Sequence, residues 1–163
     1  MPIEYDSSKK KSKALTPKAA KLKAADYCAY QERSQQEVRK KLYEYHLNSD
    51  DVEEILYDLI VDGFINEERF AKAYIGGKFR MKGWGRNKIL QGLKQHNISE
   101  YCIKKGLEEI DDVSYRETLT LLIEKKITGV ASRSDFEKKQ KVAHYAISRG
   151  FEPWLVWEVL KEY

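Results

Sequence analysis

Five apolar positions recur three times along this chain, at spacings of 51 and then 53 residues, and this repetition restricts the fold more than any other feature. Val38, Ile89 and Val142 correspond, as do Leu42, Leu93 and Ala146. Leu47, Ile98 and Phe151 follow, then Val52, Ile103 and Val156, and last Leu56, Leu107 and Leu160. The four-residue steps at either end are helical. The five-residue step in the middle is the N′-to-N4 spacing of a hydrophobic staple, which fixes the angle at which one helix leaves its predecessor. The caps enclosed by the three staples are Asn48, Ser99 and Glu152. One corner is therefore made three times, and units too small to bury a core alone stack into arrays. The expected fold is all-α: three tandem three-helix repeats, helix-turn-helix-like, in an elongated curved array. The expected division is a basic disordered tail over 1–14 and repeats over 15–65, 66–111 and 112–163.

Each repeat supplies its own start signals. Thr16-Pro17 opens a helix over 17–32, with Thr as cap and Pro in the first turn. Ser34…Glu37 reads as a capping box for a second helix, and a third follows over 49–61. Asn66 is expected to cap a fourth helix, with Ile65 and Phe70 as its staple and Glu67 and Glu68 in the first turn, the sign a helix N-terminus prefers. Gly76 and Gly77 fall inside that helix and predict a bend, a close helix contact or an early end. Gly83-Trp84-Gly85 leads into the fifth helix, a start of the kind that can hold a phosphate, and the sixth begins after Ser99. Ser114…Glu117 and Ser134…Glu137 read as boxes opening the seventh and eighth, and Pro153 opens the ninth. No segment alternates as a strand does.

Charge is distributed with the repeat. Between Leu42 and Glu68 there are nine acidic residues and no Lys or Arg; between Arg69 and Ser99 there are eight basic residues and no Asp or Glu. The net charge of +4 is modest, so the distribution says more than the total. The second helix of each repeat is basic: Arg39 and Lys40, then Arg86, Lys88 and Lys94, then Lys138, Lys139 and Lys141. Lys78, Arg80 and Lys82 add to these just before Trp84, which stands among cations as a base-stacking or interface anchor would. In register, the basic helices would form one positive stripe. Trp154 and Trp157 are expected to seal the end of the array.

Catalytic and metal chemistry lack their usual patterns. His46, His96 and His144 fall at different points of the repeat and near no Cys or carboxylate at ligand spacing. No HExxH, Walker A, GxSxG or dinucleotide fingerprint occurs. No catalytic residue, metal or cofactor is expected. Cys28 and Cys102, with no CxxC, fit reduced residues of an intracellular protein. The first residues lack the apolar core of a signal peptide, and the most apolar stretch, 55–61, is interrupted by Asp58 and too short to span a bilayer. A cytoplasmic monomer is expected, without membrane association.

Three stretches carry a resemblance to the RecX family of bacterial regulators of the RecA recombinase. They are Ser34-Gln35-Gln36-Glu37-Val38…Lys41-Leu42, the junction Asp62-Gly63-Phe64-Ile65-Asn66-Glu67-Glu68-Arg69-Phe70-Ala71, and Lys82-Gly83-Trp84-Gly85…Ile89…Leu93. The junction is the most specific of them. The resemblance runs from about residue 17 to the C-terminus and is strongest over 24–98. Arg86 stands where the family often has Pro. The resemblance implies a non-enzymatic protein of DNA repair, recombination and the SOS response, with three tandem three-helix repeats. It would bind RecA or the RecA filament on single-stranded DNA and modulate, mainly by inhibition, its extension, ATPase, strand-exchange and co-protease activities. The RecA- or DNA-binding residues would be Arg39, Lys40, Lys78, Arg80, Lys82, Trp84, Arg86, Lys88, Lys94, Lys138, Lys139 and Lys141. The alternatives are direct binding of single- or double-stranded DNA, with the fifth helix as recognition element, and a helical adaptor unconnected with DNA.

Overall fold

The computed structural model describes residues 14–163. The predicted basic tail thus lies outside the described residues except for its last position. Among those residues the chain forms nine α-helices and one 3-10 turn, with no strand. The helices are α1 (Pro17–Tyr30), α2 (Gln35–Glu44), α3 (Ser49–Val61), α4 (Glu67–Lys82), α5 (Arg86–Leu93), α6 (Glu100–Leu107), α7 (Asp112–Ile127), α8 (Asp135–Ser148) and α9 (Pro153–Leu160). The 3-10 turn, Lys94–His96, ends at Asn97 in the left-handed region, so Lys94 leaves the α-helix in which the sequence places it. Two compact units result, one reaching to Asn66 and one from Glu67 to Tyr163.

Side-chain oxygens at the helix starts take up amides that would otherwise lack acceptors. Thr16 accepts from Ala19 at 3.2 Å, Asn48 from Asp51 at 2.8 Å and Ser99 from Cys102 at 3.3 Å. Ser34 and Glu37 close the predicted capping box in both directions, at 3.2 and 2.9 Å. Ser134 accepts from Glu137 at 3.2 Å. One predicted start is displaced, and one predicted cap holds its position without a capping bond. The seventh helix starts two residues before Ser114, because Asp111 takes both the backbone N–H and the hydroxyl of Ser114, at 2.9 and 3.0 Å. Glu152 stands at the cap of α9, but its carboxylate makes no capping bond and is used elsewhere.

In the first unit α1, α2 and α3 pack mutually around Val38, Leu42, Val52 and Leu59, all fully buried. Ala20 and Ala24, also fully buried, leave only methyl groups between α1 and its neighbours. In the second unit α4 lies along α6. Gly106 permits this approach: a Cβ there would stand 2.5 Å from Ile75 Cδ1 and 3.0 Å from the Ala71 carbonyl oxygen. Gly76 and Gly77 neither break α4 nor end it early; Gly76 lies under the Arg80 guanidinium. A single core runs through α4, α5, α7, α8 and α9, so the second and third repeats share one interior. Ile65 belongs to the first core and Phe70 to the second, so the unit boundary falls between the two ends of the staple predicted there.

The repeat register holds in three dimensions. Val38, Ile89 and Val142 are each fully buried, and Leu42, Leu93 and Ala146 are at most 1% exposed. The members of each staple share a core: Leu47 with Val52, Ile98 with Ile103, and Phe151 with Val156.

Candidate functional site

The basic residues singled out by the sequence divide into those the fold consumes and those it presents. Arg39 is consumed within the first unit. Its Nε donates to Glu53 at 2.8 Å, which holds the Glu53 carboxyl below its ordinary range. Lys21 similarly reaches Asp58 at 3.4 Å, so part of the acidic face of α3 is compensated by its own unit. Lys40 on α2 is exposed.

Arg86 is consumed more thoroughly. Its guanidinium reaches Asp112 at 2.7 Å and Glu152 at 3.2 Å and lies over the Tyr115 ring, 3.8 Å from its centroid. Its backbone N–H donates to the Tyr115 hydroxyl at 3.0 Å, and that hydroxyl donates in turn to Glu152. Burial and the bond to Glu152 push the Tyr115 phenol well above its ordinary value. The next amide of α5, that of Asn87, donates to the Gly150 carbonyl at 2.9 Å, and Gly85 N–H donates to Arg149 at 2.9 Å. The start of α5 is thus capped by the third repeat rather than by a side chain of its own. Protein oxygens already occupy the amides of Gly85, Arg86 and Asn87, the ones a phosphate at this helix start would use first. Such closeness demands glycine at both partners. A Cβ on Gly85 would lie 2.2 Å from the Gly150 carbonyl carbon, and Gly150 has φ +101°. Arg86, expected to point outward, is therefore part of a joint between repeats.

Around Trp84 the cations are presented. The indole packs half-buried against the core of the second unit. Lys88 Nζ stands 4.5 Å and Lys78 Nζ 5.0 Å from its ring, and Lys78 also lies 5.3 Å from the Tyr74 ring. Cations over an aromatic face are drawn to its quadrupole, which fixes their long side chains without neutralising them. Lys82 and Lys94 are exposed nearby in sequence, while exposed Arg80 lies 4.0 Å from Glu109.

On α8, Lys141 pairs with Glu137 at 3.6 Å and donates to the Ala131 carbonyl, while Lys138 and Lys139 are half-buried near Tyr163. At 1.5 Å per residue they lie about 12–16 Å along α8 from the joint. Trp154 is 66% exposed and Trp157 39%, so neither seals the end of the third repeat.

The joint was the feature that sequence reasoning missed. Its one visible signal is Glu152, an acid where the other two staples enclose Asn48 and Ser99. No group of three or more His, Cys, Asp or Glu among the described residues could hold a metal ion, and His96 instead stacks with Phe70 at 4.9 Å. Cys28 and Cys102 are buried and form no disulfide. No helix among the described residues is long and apolar enough to cross a membrane.

Fold and surface together define a protein of tandem three-helix modules that carries basic and aromatic groups on its surface. Three family models match in succession: the first three-helix domain of RecX over 20–59, the second over 66–107 and the third over 114–160. The chain belongs to the RecX family. A regulatory protein RecX of Herminiimonas arsenicoxydans is 32% identical over 134 residues, covering 80% of this chain and 83% of the relative. One from Bacillus cytotoxicus is 27% identical over 143 residues, covering 88% of this chain but 53% of the relative. The chain thus spans about half the length of that relative. The crystal structure of RecX from Lactobacillus salivarius superposes with a TM-score of 0.80 at 23% identity, over 90% of this chain and 95% of that one, and shares its fold.

Proposed function

We propose that this protein regulates the RecA recombinase by binding its filament on single-stranded DNA, chiefly limiting filament extension and with it ATP hydrolysis, strand exchange and co-protease activity. The observation that carries the reading is the succession of all three RecX domains along one chain whose relatives are named as regulatory proteins. The contact assigned to the second unit is the cluster of Lys78, Trp84 and Lys88, with exposed Lys82 and Lys94 beside it in the sequence. Lys40 of the first repeat and Lys138, Lys139 and Lys141 of the third would supply further, individually weak contacts, and several weak contacts on neighbouring protomers add through effective concentration. Direct base reading by α5 is disfavoured: a recognition helix presents its N-terminal turn to base edges, and here that turn is covered by Gly150 and Tyr115.

The test is titration of the purified protein into preformed RecA filaments on single-stranded DNA, following ATP hydrolysis and filament length. The expected result is shortening and loss of ATPase with wild type, and a marked weakening with Lys78→Glu/Lys88→Glu. Arg86 is unsuited to such a variant because its loss would disturb the joint. Filaments indifferent to the wild-type protein would end the proposal, as would a reversed-charge variant as potent as wild type.

A further inference from the structure

We propose that the groove between α7, α8 and the C-terminal end of α4 is a docking site for a partner-protein segment that carries acidic residues around one apolar side chain. The groove encloses about 460 Å³. Four of its lining residues are cations, Lys82, Lys125, Lys126 and Arg149, and none is a carboxylate. The separation of charge is built into α7. Its helical period puts Thr118, Leu122 and Lys125 along the groove, whereas Glu117, Thr120 and Glu124 line a different hollow. Acids of the same helix are thus kept off the basic side, and the groove retains a field of one sign that attracts carboxylates.

Its floor asks for something apolar. Leu121, which borders both hollows, is 65% exposed and Leu122 half-buried, so a hydrophobic side chain set against them would leave water at both surfaces. Arg149 is fixed in position by a 2.9 Å bond from Nη2 to the Lys82 carbonyl, which ties the end of α8 to the end of α4. The groove therefore has a cationic corner tied to the backbone, beside the exposed Lys82 and Lys125.

A nucleic-acid strand would be served less well. Sequence-tolerant binding of single strands relies on open aromatic faces for stacking. The one aromatic residue lining this groove, Tyr145, already has Lys126 Nζ over its ring, 4.3 Å from the centroid. Cations around an apolar floor, with no platform for bases, match an acidic-apolar peptide. The inference is independent of the recombinase being the partner, and its readout does not involve RecA.

The experiment uses the full chain, isotopically labelled, and follows backbone amide resonances. The probes are a short synthetic peptide with one Phe flanked on either side by two Asp, the same peptide with Asn for each Asp, and a short oligo-dT. The acidic peptide should produce saturable shifts confined to residues 118–126 and 145–149. The Asn peptide should not, and Lys125→Glu/Lys126→Glu should weaken binding by about tenfold or more, as loss of charge complementarity requires. Lys125 is exposed and Lys126 half-buried, and an unchanged far-UV spectrum will show that the variant is folded. Equal binding of the Asn peptide would overturn the proposal, and so would the absence of saturable shifts. Oligo-dT moving the same amides at lower concentration would reassign the groove to nucleic acid.

Discussion

Replacing Tyr115 by Phe removes a single oxygen from the joint between the second and third repeats. Tyr115 is 1% exposed, and its hydroxyl serves two partners at once, accepting from the Arg86 amide and donating to Glu152. A hydrogen bond to a charged acceptor contributes about 1.5–3 kcal/mol, and a buried donor left without an acceptor costs about 1–3 kcal/mol. Glu152 keeps Arg86 as a partner and some water, which trims the sum. Phe fills nearly the same volume, so no cavity term enters. The expected loss is about 2–4 kcal/mol. Trp84, Trp154 and Trp157 all lie in the second unit, so tryptophan fluorescence during urea unfolding reports on that unit alone. With a urea slope of about 2 kcal/mol/M, the midpoint should fall by about 1–2 M at unchanged slope. The same substitution in a Glu152→Gln background should cost less, because the two residues act as one network. Tyr101→Phe, at an exposed position, should stay within about 0.5 kcal/mol of wild type. A loss below about 0.5 kcal/mol for Tyr115→Phe would refute the view that this hydroxyl joins the repeats.

Three further outcomes are expected. Gly106→Val should destabilise the second unit by about 1–3 kcal/mol in the same urea assay, since the added atoms must displace Ile75 or part α4 from α6. Ser34→Ala should cost the first unit about 1 kcal/mol, seen by circular dichroism, through loss of the reciprocal cap on α2. Two ionisable groups give stability a dependence on pH. The Asp111 carboxyl is lowered by its bonds from Ser114, so its contribution is complete above the ordinary 3.8 and lost as pH falls through the folded value; an acid titration of the Ser114 amide resonance will show it. The Tyr163 phenol, raised from 10.0 to about 12 by its bond to Glu124, contributes below pH 10, and that contribution is lost between there and pH 12; tyrosinate absorbance will follow it.

Much of the architecture was legible because its causes are local. A cap, a staple and an apolar period each act within a few residues, so Ser34, Asn48 and Ser99 announced their helices and the spacing of Val38, Ile89 and Val142 announced the repeat. Where two acceptors compete for one amide, local reasoning has no means of choosing, and Asp111 displaced Ser114 as the cap of α7. The candidate surface was legible as a list of cations and one tryptophan, but not as a division between used and unused charge.

That division belongs to tertiary structure. Arg39 and Arg86 look like Lys40 and Lys88 on a helical wheel, yet Arg39 meets Glu53 on a neighbouring helix and Arg86 meets Glu152 from 66 residues away. Nor could the sequence show that Gly85 and Gly150 would lie in contact, or that the lysines of α7 would share a groove with Arg149. The sequence alone determined the helices, their order and the threefold corner, since those follow from interactions between near neighbours in the chain. Which repeats share a core, and which basic side chains remain available to a partner, was decided only by the fold, because both depend on groups that the chain brings together from far apart.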